Sequence, residues 1–392
     1  MFINNDKSLF RLDDRLVFGL KRLIIDLPAP LKISYMWNYG SLLGLYLLIQ
    51  IFSGLFLSMF YSSSTELAFE SIKLIFRDIW WGWFIRYIHV AGASGYFIFL
   101  YFHISRGLYY GSFQMVKTWR VGVSIFLLSM AAAFLGYVLP WGQMSYWGAT
   151  VITNFLSVVP YLGDLIVVWV WGRFSVDYPT LNRFFSLHFL IPLIILALVV
   201  VHVIYLHESG SNKRILICSE GDKVPFFPYF LWKDLVGFLI RFFFIFKLFL
   251  ICPEIHLERQ NYIQAKPLIT PTHIQPEWYF LAAYAVLRSV PNKLGGVVGL
   301  LVFVLILYVL PLSKKLPGRN LGKHRPFKAV FQFFWWVWVL NFLFLTWLGS
   351  LPVEEPYVGL SQVCRSVYFI FFYFIFVNNY IHANPIKLKG LV

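Results

Sequence analysis

Charge is scarce in this chain. Asp, Glu, Lys and Arg together make up 13% of its 392 residues, about half the share of a soluble globular domain, so an ordinary water-soluble fold is excluded. Acids are the scarcer sign, 18 against 33 bases. The net charge of +15 lies in short stretches between apolar runs rather than on one basic face. It therefore reports membrane orientation, and no nucleic-acid partner is expected. Cysteine is nearly absent. Cys218, Cys252 and Cys364 are far apart and form no CxxC. That argues against disulfides, a zinc site, iron–sulfur ligation and covalent haem attachment through CxxCH. Low-complexity tracts and tandem repeats are missing too. The start shows neither a short cleavable signal peptide nor an Arg/Ser-rich transit peptide. Residues 1–33 mix acids with bases and read as an amphipathic surface segment.

Apolar residues take the place of the missing charge: 59% of the chain is hydrophobic and 20% aromatic, with a mean hydropathy of +0.70. Runs long enough to cross a hydrocarbon core roughly 30 Å thick lie near 34–60, 84–106, 119–139, 184–206, 229–251, 295–312, 328–349 and 358–378. The expected fold is an all-α integral membrane protein of eight spans, with both termini on one side of the bilayer. On that side lie Lys117 and Arg120, the cluster Lys314, Lys315, Arg319, Lys323, Arg325 and Lys328, and Lys387 and Lys389 of the tail. The other side carries Glu66, Glu70, Asp78, Asp164, Asp177, Glu254, Glu258, Glu354 and Glu355. By the positive-inside rule the termini face the cytoplasm-equivalent compartment. Three regions are expected: the surface segment 1–33, a four-helix bundle over 34–228, and a second four-helix region over 229–392. Two long linkers on the less basic side, 140–183 and 252–294, contain helix-compatible patches and are the expected carriers of function.

Four histidines stand out. His89 and His103 are fourteen residues apart in span two, and His188 and His202 fourteen apart in span four. Fourteen residues return to nearly the same helix face, roughly 21 Å further along. Both spans are even-numbered, so they run in the same direction, and the pairs can close as 89 with 188 and 103 with 202. A lone intramembrane histidine is more often a hydrogen-bonding packing residue; two equal pairs on parallel spans are not explained that way. Gly40 and Gly54 in span one, and Gly122 and Gly136 in span three, repeat the same fourteen. Ordinary small-residue packing accounts for any single one of these glycines. Both pairs fall level with the histidines, where an absent side chain leaves room for the edge of a macrocycle. The bundle thus reads as a holder of two non-covalent b-type haems with two imidazoles on each iron. Such iron has no open position, which points to electron transfer rather than oxygen chemistry. Arg86 and Arg183 for the outer haem, and Arg106 for the inner one, are the candidate partners of the propionates; each is equally readable as a snorkelling interfacial arginine.

The segments WNYGSLLG (37–44), RYIHVAGAS (86–94), HISRGLYYGS (103–112), GYVLPWGQMSYWGATVITN (136–154), TLNRFFSLHF (180–189), HVIYLHESGSN (202–212) and PTHIQPEWYFLAAYAVLRSVPNKLGG (271–296) resemble the cytochrome b family, in its mitochondrial form the core subunit of ubiquinol–cytochrome c reductase, respiratory complex III. The likeness covers almost the whole chain. It implies haems at 89/188 and 103/202, the pairing reached from the spacing. Photosynthetic relatives split the architecture into two chains and have one more residue between the second pair of histidines, so the respiratory type is the better match. The chain departs from the family in a phenylalanine-rich fifth span, in the 213–224 linker and at the N-terminus.

The resemblance also implies two quinone sites. A single loop glutamate is usually a solvated surface acid, but Glu277 lies between Pro276 and the aromatic pair Trp278 and Tyr279, a setting that raises a carboxyl pKa toward neutrality. In the family's PEWY motif this glutamate binds quinol and carries away a proton, with Tyr137, Tyr284, Gly148 and Pro276 lining the pocket. On the opposite face the family pairs His207 with Asp234 around the reduced quinone, with Lys233, Ser211, Asn38 and Ser41 as neighbours; without the resemblance these residues read equally well as interfacial caps. Trp37 reads as an interfacial anchor. The implied partners are a Rieske-type iron–sulfur protein, a membrane-anchored c-type cytochrome, accessory subunits and a second copy of the complex. The implied location is the mitochondrial inner membrane, with the termini on the matrix side, rather than a bacterial plasma membrane. A two-haem transmembrane reductase of another class would share the histidine ladder but neither PEWY nor the second half of the chain. A transporter relaying protons through its histidines is a second alternative, which an optical spectrum showing two b-type haem components would set aside.

Overall fold

The computed structural model describes residues 25–31, 33–211, 223–252, 254, 257–313 and 329–383. The N-terminal segment before residue 25, Cys218, the basic cluster 314–328 and the lysines of the tail lie outside the described residues. Among those described, twelve α-helices account for most of the chain: α1 (Tyr39–Ser58), α2 (Ala68–Arg77), α3 (Gly82–Tyr109), α4 (Val116–Val138), α5 (Gln143–Asn154), α6 (Gly163–Trp171), α7 (Tyr178–Ser209), α8 (Tyr229–Ile251), α9 (Leu281–Arg288), α10 (Lys293–Val309), α11 (Ala329–Gly349) and α12 (Tyr357–Ala383). The two short strands, Pro28–Pro30 and Lys223–Pro225, form one small antiparallel ladder that ties the start of the chain to the entry of α8.

A long helix lies at each of the eight expected places. Seven are long and apolar enough to cross a membrane; the eighth, α8, carries Lys233, Asp234, Arg241 and Lys247 within its 23 residues. The spans face outward with the same chemistry that they bury. On α7, Leu187, Leu190, Leu193, Val200 and Ile204 are exposed while Ile191 and Ile195 are buried. Lipid is as apolar as leucine, so packing and interhelical hydrogen bonds, not escape from water, choose which face turns inward.

The bundle is built from α1 against α3 and α4 against α7, with α1 also touching α7. Sequence-local signals set its ends. Asp177 and Thr180 form a reciprocal capping box at the start of α7, where Pro179 sits in the first turn. Inside α7, Pro192 has no N–H to give to the carbonyl of His188 four residues earlier. The expected linker 140–183 contains α5 and α6. The linker 252–294 contributes two 3₁₀ turns, Arg259–Tyr262 and Trp278–Phe280, and then α9.

These two linkers are laced to each other. The backbone N–H of Gln143 donates to the Ile263 carbonyl at 2.9 Å, and that of Ala265 to the Trp141 carbonyl at 3.0 Å. Ser145 Oγ lies 2.7 Å from the Tyr137 carbonyl, while Asn261 Oδ1 accepts from the Ser145 N–H at 3.0 Å. Gly142 is required at this crossing, because a Cβ there would run into the Asn261 backbone. The lacing holds residues 258–262 over one end of the bundle.

Candidate functional site

The structure brings the four histidines together in the two expected pairs. His89 and His188 have ring centres 6.2 Å apart, and His103 and His202 have theirs 6.3 Å apart. Two imidazoles that bind one metal from opposite sides, each nitrogen at about 2 Å, place their ring centres roughly 6.3 Å apart. Each pair therefore leaves room for one metal atom.

The outer pair is also set in the tautomer that ligation needs. Ser53 Oγ donates to the Ile49 carbonyl at 2.6 Å. Its lone pair is left to accept from His89 Nδ1 at 2.8 Å. His188 Nδ1 lies 2.8 Å from the Ala132 carbonyl, which can only accept. Both rings thus carry their proton on Nδ1 and present a free Nε2 lone pair to the gap, the arrangement by which second contacts prepare histidine ligands.

The four glycines meet the same rings. A Cβ on Gly54 would lie 3.1 Å from His89 Cε1, one on Gly122 3.0 Å from His202 Cε1, and one on Gly40 3.4 Å from His103 Cε1; on Gly136 it would collide with the His188 ring. The levels are those expected from the spacing. The closest neighbour of each missing side chain is the imidazole itself, so the glycines let the four imidazoles stand between the helices.

At the inner pair, Arg106 is partly buried, with its Nε shielded and unpartnered. Its guanidinium lies over the Trp37 ring at 5.3 Å and 3.2 Å from His103 Nδ1. No carboxylate among the described residues pairs with it. A partly buried cation in this position favours an anion at the edge of the inner site, the place a haem propionate would take. Arg86 lines the outer cavity and stacks on Phe76. Arg183, by contrast, gives its guanidinium to the carbonyls of Trp169 and Val170 at the end of α6, and it is not among the lining residues of the cavity.

That cavity, of about 370 Å³, reaches from the outer histidine pair to the linker residues. His89, His188, Gly54 and Gly136 line it together with Arg86, Tyr137, Glu258, Tyr262, Glu277 and Tyr279. Residues 276–280 are bolted to α3 in three ways. Trp278 Nε1 donates to Ser94 Oγ at 3.2 Å, the Tyr101 hydroxyl donates to the Tyr279 carbonyl, and the Tyr279 ring stacks on Phe97 at 4.2 Å. This grip turns Glu277 into the cavity. Burial, and then the nearby Glu258 carboxylate, raise its pKa from 4.5 to about 7.

Glu258 is the residue that sequence reasoning missed, since it counted there only as a charge reporting orientation. Tyr284 gives its hydroxyl to the Ile274 carbonyl at 3.2 Å and stacks on Arg288. Tyr284, Pro276 and Gly148 are not among the residues lining the cavity; a Cβ on Gly148 would meet nothing within 4 Å.

On the opposite face a polar cluster joins α1 to α8. Asn38 Nδ2 donates to Asp234 Oδ1 and to the Lys233 carbonyl, Ser41 donates to the Asn38 carbonyl at 3.0 Å, and Lys233 Nζ donates to the Ile33 carbonyl. His207 lies near the end of α7 with its Nδ1 buried and unpartnered. Ser211 follows two residues beyond that helix. Among the described residues, no hydrogen bond joins His207 or Ser211 to the Asp234 cluster.

Two family models match this chain. Residues 24–210 match the model described as cytochrome b/b6/petB, and residues 264–369 match cytochrome b(C-terminal)/b6/petD. The chain belongs to the cytochrome b family. A solved chain described as a hyperthermophilic respiratory Complex III is similar across 95% of this chain and 98% of its own length, with 30% sequence identity and a TM-score of 0.85. The family and this match make the chain a haem-b electron-transfer subunit of the bc1 type, carried in the membrane on several apolar helices.

Proposed function

We propose that this chain is the quinone-binding and haem-binding subunit of a ubiquinol–cytochrome c reductase, oxidising quinol at one membrane face and reducing quinone at the other. The observation that carries the proposal is the outer cavity, one continuous space lined by His89, His188 and Glu277 together. When bound, two bis-imidazole haems supply one-electron transfer across the bilayer. The residues of this chain do the rest. His89 with His188, and His103 with His202, would hold the two irons; Arg86 and Arg106 would neutralise propionates.

Glu277, half-neutral near pH 7, accepts a proton from the quinol hydroxyl and passes it to the aqueous side, where Glu258 and Tyr262 border the same space. Tyr137 and Tyr279 close the apolar walls and keep bulk water out. On the other face, Asp234, oriented by Asn38 and accompanied by Lys233, and His207 with its unpartnered Nδ1, are the candidate groups for quinone reduction. The catalytic unit on this reading includes a Rieske-type iron–sulfur protein and a membrane-anchored c-type cytochrome, because this chain has no iron–sulfur ligands. A homodimeric assembly, accessory subunits, a mitochondrial inner-membrane location and matrix-facing termini belong to the same proposal.

Purified complex tests it directly. Quinol added to the oxidised complex should reduce two spectrally distinct b-type haem components, with the second sensitive to changes at Asp234. A single haem component, or haem reduction that quinol does not drive, would sink the reading.

A further inference from the structure

Halfway between the two histidine levels, the bundle helices present a third layer. Tyr96 is seven residues from both His89 and His103, and Ile195 is seven from both His188 and His202. Leu47 is likewise midway between Gly40 and Gly54, and Ser129 between Gly122 and Gly136. Seven residues are close to two helical turns, so all four midpoints share the inward face of their ligands and glycines. All four are buried, and all four line the outer cavity on the side toward the inner pair.

Leu47 and Ile195 are apolar, but Tyr96 and Ser129 are not. Their hydroxyls meet at 2.9 Å across α3 and α4. Ser129 Oγ also lies 2.7 Å from the Ile125 carbonyl. That carbonyl only accepts, so the serine hydrogen goes there and the Tyr96 hydroxyl donates to Ser129. The tyrosine is thereby latched, with its ring in the gap between the two metal sites. Phenylalanine and alanine would fill the layer without burying two hydroxyls, which are costly to bury if left unpaired.

We propose that Tyr96, latched by Ser129, is the bridging residue between the two haem sites. Its ring carries the electronic coupling, and the hydroxyl pair lowers the potential of the outer haem. The proposal rests on the haem reading of the histidine pairs. Electronic coupling decays less steeply through packed aromatic atoms than across looser packing, and Tyr96 supplies the one ring of a midpoint layer completed by Leu47, Ser129 and Ile195. Tyr96 itself is neither oxidised nor deprotonated; the electron that leaves the outer haem arrives on the inner one. The oxidised haem carries one more positive charge than the reduced form, so polar groups on the floor of its cavity favour oxidation, while an apolar floor favours reduction.

The experiment uses purified complex with Tyr96→Phe, Ser129→Ala and Tyr96→Leu. Redox titration of both b-haem bands is combined with time-resolved reduction of the inner haem through the outer site. Tyr96→Phe and Ser129→Ala should keep both haems, raise the midpoint potential of the outer haem and leave the inner one unchanged. Tyr96→Leu should also slow transfer between the haems severalfold, whereas Tyr96→Phe should not. Tyr96→Met, unbranched and gap-filling, gives the same reading if leucine is not accommodated. Unchanged outer potentials in Tyr96→Phe and Ser129→Ala overturn the role of the hydroxyls. A wild-type transfer rate in Tyr96→Leu or Tyr96→Met, with both haems bound, overturns the role of the ring. Failure to find two b-haem components in the unsubstituted complex would instead remove the haem assignment itself, and the bridge with it.

Discussion

Glu277 offers the sharpest test of quinol chemistry at the outer cavity. Burial is the larger cause of its raised pKa and the Glu258 carboxylate the smaller, and together they move it from 4.5 to about 7. That displacement is a bias of about 3 kcal/mol toward the neutral acid. A proton acceptor must be ionised, and a group titrating at about 7 is about one-tenth ionised at pH 6 and about nine-tenths at pH 8. The kcat/KM for quinol oxidation should therefore rise with pH and level off through an inflection near 7, the value belonging to the free complex. Glu277→Gln should remove both the inflection and most of the rate while leaving both haem spectra intact. Glu258→Gln removes only the second cause, so the inflection should move to lower pH without reaching 4.5. The stability sign is opposite to that of a salt-bridged acid. Because the folded state holds this proton more tightly than the unfolded chain, the contribution of Glu277 to stability is lost as pH rises from 4.5 to about 7. An inflection near 7 that survives in Glu277→Gln would refute the assignment, since the titrating group would then be another residue.

Other expectations concern the ligands and their glycines. Alanine at Gly136, where the new Cβ would strike the His188 ring, should cost about 1–3 kcal/mol by overpacking and weaken the outer haem most. Gly54→Ala and Gly122→Ala should be intermediate and Gly40→Ala mildest, following their distances of 3.1, 3.0 and 3.4 Å; haem content and thermal loss of the haem band would reveal a different ranking. Gly148→Ala, which meets nothing within 4 Å, should leave both haem bands unaltered. His188→Leu should remove the outer haem and stop quinol oxidation, and spectra retaining both haems would show that the pairing is wrong. Asp234→Asn should slow re-oxidation of the inner haem by quinone without changing its spectrum; an unchanged rate would remove Asp234 from that site.

The long elements were legible because their signals are local. A hydrocarbon core demands a run of apolar residues of nearly fixed length, and α1, α3, α4, α7, α10, α11 and α12 all appear where such runs lie. Helix α8 was legible as an apolar run despite its charged residues, but the number of its charges separates it from the other seven. Part of the site was equally plain, because helical period converts a spacing of fourteen into a shared face. The outlying residues of the haem and quinone sites were less legible. Arg183 was placed at a haem by its distance in sequence from His188, yet its guanidinium ends on the carbonyls of α6. Glu258 carried no sign of its role, because it reaches the cavity only through the lacing of two linkers more than a hundred residues apart.

The sequence alone thus determined the membrane class, the places of the long apolar helices, and the two levels at which four histidines and four glycines stand, since each follows from composition and helical period. Only the tertiary structure decided what those levels can do. It set the 6.2 and 6.3 Å separations, the Nδ1 contacts that leave His89 and His188 with free lone pairs, and the common cavity that joins them to Glu277 and Glu258. It also drew Tyr96 and Ser129 into one hydrogen bond midway between the levels. Those facts depend on which helix faces which, and in a bilayer packing between helices settles that choice, because the apolar pattern is nearly the same on every side.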